Sequence, residues 1–158
     1  MKRKIFNNMV YIAVVAVLIT TTLLGMFTYY RYMEQVKSGI KDEAAYLAAS
    51  LNVKDNQNLN KYKNITVSRI TRVDQNGKVI YDSSGKEKSM GNHKNRTEIK
   101  EAYEKGQGED TRMSNTLRKQ TYYYAVRLKD GTILRMSRET QTIIKQMEDI
   151  IPIIMLML

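Results

Sequence analysis

The hydrophobic positions of the chain are concentrated in two runs that enclose a polar middle. The first run, residues 9–27 (MVYIAVVAVLITTTLLGMF), contains no charged residue. At about 1.5 Å per helical residue it nearly matches the hydrocarbon core of a bilayer, and it predicts a transmembrane helix. The second run, residues 150–158 (IIPIIMLML), is too short to span a bilayer. It is either a tail packed on the domain or, as we prefer, the start of a second transmembrane helix in a longer protein.

Basic residues before the first run predict its orientation. Lys2, Arg3 and Lys4 are expected to stay in the cytoplasm under the positive-inside rule. A cleaved signal peptide also begins with basic residues and an apolar run, but its apolar region usually has about 7–15 residues. Residues 28–32 (TYYRY) offer no small-residue cleavage site and supply interfacial aromatic rings. We therefore expect an uncleaved membrane anchor, with the N-terminus in the cytoplasm and the chain after Tyr30 outside.

An apolar stripe with helical spacing follows the first run. Its members recur at steps of three and four: Val36, Ile40, Ala44, Leu47 and Leu51. The stripe predicts that the helix continues through residues 31–52. Such a stripe forms either the core of the next domain or the seam of a dimer, and we favour the core.

The polar middle of the chain predicts a β-hairpin. Residues 54–64 (KDNQNLNKYKN) are expected to form a connecting loop. Residues 65–74 and 78–82 are expected to be strands joined by a tight Asn76-Gly77 turn. The alternation in the first strand is imperfect, which indicates a bulge or burial on both faces.

A short helix and a second group of strands complete the pattern. Residues 96–105 (RTEIKEAYEK) predict a helix with Asn95 as N-cap, Glu98 in a capping-box position and Gly106 at its end. Strands are then expected over residues 109–114, 121–128 and 132–138, the last two joined by a turn at 129–131, and a further helix from Glu139.

The fold class expected is α+β: an antiparallel sheet of about five strands, one crossing helix and a long N-terminal helix, flanked by transmembrane helices. We divide the chain into a cytoplasmic N-terminus, a first transmembrane helix, an extracytoplasmic domain and the start of a truncated second transmembrane helix. These comprise residues 1–8, 9–30, 31–142 and 143–158.

Composition and charge narrow the possible chemistry. The chain has no Cys and one His, which excludes disulfides and cysteine nucleophiles. No residues have metal-ligand spacing and no glycine-rich phosphate loop is present, so no cofactor is expected. The formal net charge is +10, and +7 remains after the three N-terminal basic residues are removed. This charge favours an anionic ligand or cell-envelope component, or it is a general property of the surface.

An anion site is the candidate that these charges suggest. His93, Lys94 and Arg96 precede or open the short helix, where free N–H groups favour negative charge. The walls on neighbouring strands would be Tyr81, Arg112, Tyr122 and Tyr124. The structural alternative, which we favour, is that His93 bonds the loop, Arg96 pairs with Glu98 or Asp82, and the tyrosines are core. Stacking of tyrosines on nucleic acid is not expected outside a cell membrane.

Several blocks in order resemble a known family. They are residues 69–74 (RITRVD), 77–83 (GKVIYDS), Asn92 and His93 with Arg96, Glu98, Ala102 and Gly106, then 112–117 (RMSNTL), 123–126 (YYAV), Asp130-Gly131 and Leu134-Arg135. Their order over the whole chain is similar to the extracytoplasmic PAS-like, or single-Cache, sensor region of membrane-bound two-component sensor histidine kinases. The chain resembles in particular the phosphate-regulon and cell-wall types of Gram-positive bacteria, which implies a location in a bacterial cell membrane.

The resemblance implies a PAS-like (Cache/PDC-type) sensor domain that relays an external signal to a cytoplasmic kinase missing from this chain. It implies a homodimer in the membrane, no enzymatic activity in this chain, and contact with a response regulator only through the missing kinase part. The alternative functions are a stand-alone membrane-anchored binding or adaptor protein, and the sensor region of a chemoreceptor or cyclase.

Overall fold

The computed structural model describes residues 2–51, 56–114, 119–140 and 148. These residues divide into two compact units, one containing residues 2–34 and the other residues 35–140. The expected second transmembrane segment at 143–158 and the expected helix after Glu139 lie outside the described residues, apart from residue 148. Glu139 itself belongs to the last strand and not to a helix.

Helix α1 (Lys2–Ser50) is a single uninterrupted helix that contains both the apolar run and the apolar stripe. Within the apolar run, Thr20, Thr21 and Thr22 each donate a hydroxyl hydrogen bond to the carbonyl four residues earlier, at 2.7 to 2.8 Å. These bonds satisfy the hydroxyl donors within the helix itself.

Helix α2 (Asn56–Tyr62) corrects the loop expected over residues 54–64. Its Leu59 is fully buried. The strand expected to start at residue 65 begins four residues later, and Val67 is 82% exposed. One buried leucine therefore fixes a short helix in a segment whose polar composition is typical of a loop.

The remaining elements are strands β1 (Arg69–Val73) and β2 (Val79–Asp82), helix α3 (Thr97–Lys105), and strands β3 (Gln107–Met113), β4 (Gln120–Arg127) and β5 (Ile133–Glu139). A short 3-10 turn, Glu87–Ser89, follows β2. The sheet order is β2-β1-β5-β4-β3 and all neighbours are antiparallel. The expected α+β fold, with five strands and a long N-terminal helix, is confirmed.

Local details of these elements follow the sequence closely. Gly77 and Gly106 have φ of 86°, a left-handed conformation that glycine adopts without strain, at the hairpin turn and at the end of α3. The register shifts between Arg72 and Val73, which confirms the irregularity expected in β1. The N-cap of α3 is Arg96 instead of Asn95, and its side chain makes no capping bond.

The two faces of the sheet have different covers. The α3 face packs an apolar group that includes Ile99 and Ala102 of the helix: Val73, Val79, Ile99, Ala102, Ala125 and Ile133. The opposite face, which we call the α1 face, carries Ile70, Leu134, Met136, Tyr122 and Tyr124, all buried. Helix α1 lies against it, and its stripe residues Val36, Ile40, Ala44 and Leu47 are buried too. The stripe is therefore core within one chain, as preferred.

Candidate functional site: a buried ionic cluster on the α3 face

A chain of polar contacts crosses the α3 face from β2 to β3. Sheet register places Thr71 beside both Asp82 and Arg135, while Tyr123 lies beside Asp110 one row further along. Helix α3 crosses this part of the face and adds a carboxylate. We call the central group the ionic cluster; its members are Glu98, Asp110, Arg112, Tyr123 and Arg135.

Glu98 is the centre of the ionic cluster. Its side chain is fully buried and accepts two hydrogen bonds from Arg112, at 2.7 Å from Nη1 and 2.9 Å from Nη2. Arg135 Nη1 donates a third, at 3.3 Å. Paired N–H groups that meet a carboxylate side by side form the strongest kind of hydrogen-bonded ion pair in proteins. Arg112 also pairs with Asp110.

One aromatic ring supports both guanidinium groups. The guanidinium carbon of Arg112 lies 4.1 Å from the centroid of the Tyr123 ring, and that of Arg135 lies 5.2 Å from it. Contacts of this kind are attractive, and they orient the planar cations. The Tyr123 ring therefore helps to hold both arginines in position around a single carboxylate.

Arg135 extends the ionic cluster toward β2. Its Nη2 donates to the Thr71 hydroxyl at 3.3 Å, and that hydroxyl donates to Asp82 at 2.9 Å. Asp82 is held in turn by Arg69, whose Nε and Nη2 lie 2.9 to 3.1 Å from its oxygens. The Nε of Arg135 is buried and has no hydrogen-bond partner.

The protonation states follow from burial and pairing. Burial alone would raise the pKa of Glu98, but the bonds and charges of Arg112 and Arg135 lower it. Burial opposes the charge of Arg112, yet its two carboxylate partners raise its pKa. Burial lowers the pKa of Arg135 although Glu98 favours the cation. The cluster thus contains two arginines and two carboxylates and is internally neutral, which is the condition for keeping ions out of water.

His93 lies beside this group. It is 7% exposed, its backbone N–H donates to the Gly77 carbonyl at 2.7 Å, and its Nδ1 is buried without a hydrogen-bond partner. Burial, followed by the positive charges of Arg135 and Arg96, lowers the pKa of His93 to about 4. The imidazole is therefore neutral at physiological pH.

The structure brings together only part of the set proposed from the sequence. Arg112 belongs to the ionic cluster, and His93 lies near enough for the charges of the cluster to act on its pKa. Arg96 is half-buried at the N-cap position of α3, and Lys94 is exposed. The expected core role of the tyrosines holds for Tyr122 and Tyr124, which are buried on the opposite, α1 face of the sheet, bonded to Glu109 and Gln107. The Tyr81 hydroxyl donates to Asn60 at 3.0 Å. The seven residues therefore do not line one site.

Four members of the cluster were not among the proposed site residues: Glu98, Asp110, Tyr123 and Arg135. Arg135 could have been identified from the sequence, because the two-residue alternation of β5 places this charged residue on the same strand face as the hydrophobic Ile133. A buried arginine requires a carboxylate, and the helix expected over 96–105 offers Glu98, Glu101 and Glu104. Only the structure selects Glu98.

Ion pairs on the α1 face involve the same strands. Lys41 lies 3.0 Å from Glu109 of β3, and Glu43 lies 2.6 Å from Arg138 of β5. The ammonium group of Lys41 is also 5.6 Å from the centre of the Tyr124 ring. The two strands that hold the arginines of the ionic cluster are thus joined to α1 on their other face.

Two open cavities lie away from the cluster. One, of about 540 Å³, runs along β2 and is lined in part by Lys78, Lys88 and Asn92. The other, of about 240 Å³, is lined in part by Lys41 and Tyr124. Among the residues that the structure describes, no group of three His, Asp or Glu side chains is placed to hold a metal ion.

The architecture, a long N-terminal helix and a five-stranded antiparallel sheet, is that of an α+β domain of the Cache and PAS-like type, a class of sensor domains typical of signalling receptors. The sequence model of the Single Cache-like family matches residues 30–133, more than half of the chain, and the chain belongs to that family. No curated protein matches the chain significantly. Within the described residues, one helix, Lys2–Ser50, is long and apolar enough to cross a membrane, a criterion that a signal sequence also meets.

Proposed function

We propose that the chain is the membrane-anchored sensor region of a two-component histidine kinase, with its Single Cache-like domain outside the cell and residues 1–8 in the cytoplasm. The observation that carries the proposal is the continuity of α1. One helix contains the apolar run and then buries Val36 and Ile40 in the core of the domain. A change in the sensor domain therefore acts on the same helix that enters the membrane.

The absence of cysteine makes the orientation directly testable, since single cysteines can be introduced one at a time. Lys88→Cys, exposed in the 3-10 turn, is expected to react with a membrane-impermeant maleimide in intact cells. Lys4→Cys is the matched control and is expected to react only after lysis. Labelling of Lys88→Cys only after lysis contradicts the proposed orientation, and loss of the N-terminal segment from the purified protein contradicts the anchor.

The reading frame of the gene beyond the codon for Leu158 tests which output module the protein carries. The proposal expects the reading frame to continue beyond Leu158 into a second membrane helix and a phosphoacceptor-histidine helix. A stop codon after Leu158 supports the adaptor alternative, and a chemoreceptor or cyclase module downstream replaces the kinase.

The proposed assembly is a homodimer, and the burial of the apolar stripe restricts where its seam can lie. The outer side of α1 presents Ser38, Asp42, Ala45 and Ala49, which are exposed. Single cysteines there are expected to form disulfide crosslinks in membranes with helical periodicity, whereas Lys88→Cys does not. Uniform or absent crosslinking along α1 counts against this seam.

A further inference from the structure

Four exposed lysines surround the open cavity that runs along β2. Lys78 and Lys88 line this cavity, whose volume is about 540 Å³. Lys86 is the N-cap residue of the 3-10 turn that forms part of the cavity wall. Lys94 lies against the hairpin turn that precedes Lys78, since a Cβ at Gly77 would be 2.5 Å from the Lys94 Cβ. All four lysines are exposed, and we call the cavity together with them the lysine groove.

The lysine groove carries positive charge that the domain does not neutralise. Elsewhere three lysines pair with carboxylates at 2.6 to 3.7 Å: Lys41, Lys105 and Lys119. In the part of the chain that the structure describes, the four lysines of the groove have no ion-pair partner. Glu87 is the one acid among the described residues that line the cavity, and Asp82 of β2 is paired with Arg69. Four lysines and one glutamate leave a positive formal charge around an open cavity, which attracts anions.

We propose that the lysine groove binds an extended anionic polymer with phosphodiester groups, a component of the cell envelope. The location of this partner rests on the proposed function, which places the domain outside the cell. The lysines are exposed and come from two sides of the cavity, so each contact with one anionic group is worth less than about fivefold in affinity. Four such contacts on one chain multiply to as much as about several hundredfold, whereas a small anion reaches only one or two lysines.

Phosphodiester groups fit the groove better than the carboxylates of an acidic peptide. An extended peptide points alternate side chains to opposite sides, so about half of its carboxylates would face away from the lysines. A phosphodiester chain has its charges on the backbone itself, and a lysine ammonium binds phosphate as a point charge without a fixed orientation. Val79 and Met90 also line the groove, and they offer apolar contact to the carbon atoms between the phosphates.

Fluorescence anisotropy of the whole chain in micelles of a neutral detergent tests the proposal. The probe is a labelled oligomer of about ten tetrahydrofuran–phosphodiester units, which carries the backbone charge of such a polymer and no bases. An oligoglutamate of equal charge is expected to bind at least about fivefold more weakly, because fewer of its carboxylates reach a lysine. Inorganic phosphate at the same phosphate concentration is expected not to displace the oligomer.

Matched lysine variants separate the groove from the net charge of the chain. Lys78→Gln combined with Lys88→Gln is expected to weaken binding about tenfold and to lower the slope of log Kd against log salt concentration by about 1.4. Lys105→Gln combined with Lys119→Gln removes the same charge near β3 and β4, at the other side of the sheet, and is expected to change the affinity less than about twofold. The basic residues at the N-terminus are common to all variants, so their contribution cancels.

Two further measurements locate the contact. Glu87→Gln removes the acid of the groove and is expected to tighten binding about twofold, whereas Glu104→Gln, exposed on α3, is expected to leave it unchanged. Acetylation of lysines in the wild type, read by mass spectrometry, requires no substitution. The oligomer is expected to protect the four lysines of the groove and to leave Lys105 reactive.

Several outcomes overturn the proposal: equal weakening by the two lysine pairs, oligoglutamate binding as tightly as the oligomer, displacement by inorganic phosphate, or protection that omits the groove. Equal Tm values of wild type and variants show that the fold is retained, and the acetylation result decides if they differ. These measurements use the purified chain and do not depend on membrane orientation or on an output module. A failed binding test therefore leaves the labelling experiment intact, and a contradicted orientation leaves the binding intact.

Discussion

The buried imidazole of His93 makes the stability of the domain depend on pH. In the folded protein its pKa is lowered to about 4, first by burial and then by the charges of Arg135 and Arg96, against an ordinary value of 6.5. Between these two values the unfolded chain binds a proton that the folded chain does not. Stability therefore rises with pH in this window, and on acidification it is lost progressively from about pH 6.5 down to about pH 4.

The magnitude follows from the displacement of the pKa. Full acidification removes about 3 kcal/mol of unfolding free energy through His93, and about 2 kcal/mol of this loss falls between pH 7 and pH 5. The carboxyl groups with lowered pKa, among them Asp82, Glu98, Glu109 and Asp130, lose most of their contributions below their ordinary values of 3.8 for Asp and 4.5 for Glu. Because His93 is the only histidine of the chain, the interval from pH 5 to 7 isolates its effect.

Urea unfolding of the whole chain in micelles at pH 5, 6 and 7 measures this dependence. The wild type is expected to lose about 2 kcal/mol of unfolding free energy with an unchanged m value, whereas His93→Gln should change by less than about 0.5 kcal/mol. The slopes are compared, so a lower absolute stability of the variant does not matter. An imidazole that titrates near 6.5 in the folded protein, or equal slopes in both proteins, refutes the reasoning.

Two substitutions test the packing on either face of the sheet. Gly108→Ala should cost about 1–3 kcal/mol, because a Cβ there would lie 2.4 Å from the Glu98 carbonyl oxygen; Gly91→Ala, with open space around it, is the control, and equal melting temperatures for the two variants would show that α3 does not press on β3. Ile40→Ala should cost about 2–5 kcal/mol because its side chain is fully buried. Tyr46→Ala, at a position 68% exposed, should cost far less, and the reverse order in denaturant melts would place the stripe at a dimer seam instead of in the core.

Periodicity predicted most of the fold because the strands obey it. The alternation of Tyr122 and Tyr124 with Tyr123 assigns the two faces of β4 correctly, and glycine marks the turn at Gly77 and the end of α3 at Gly106. Helix α2 does not follow from the polar local sequence: its Leu59 is fully buried, and asparagine has a poor helix propensity.

The site was less predictable than the fold. Glu98 and Arg135 are 37 residues apart, and they meet only because α3 crosses the face between β1 and β3. Positive charge and the predicted start of α3 identified His93 and Arg112, which lie near or within the ionic cluster. They did not show which face of the sheet α3 covers, and Tyr122 and Tyr124 lie on the other face, separated by the sheet from the ionic cluster.

Because side chains alternate along a strand, β3 and β5 each hold an arginine of the ionic cluster on one face and an ion-pair partner of α1 on the other. Loss of Lys41 or Glu43 would therefore remove one ion pair between α1 and these strands, while the buried stripe keeps the helix packed and the ionic cluster on the other face stays intact. Under the proposed function, a screen for variants that fold normally and give a weakened response is expected to recover substitutions at these two positions.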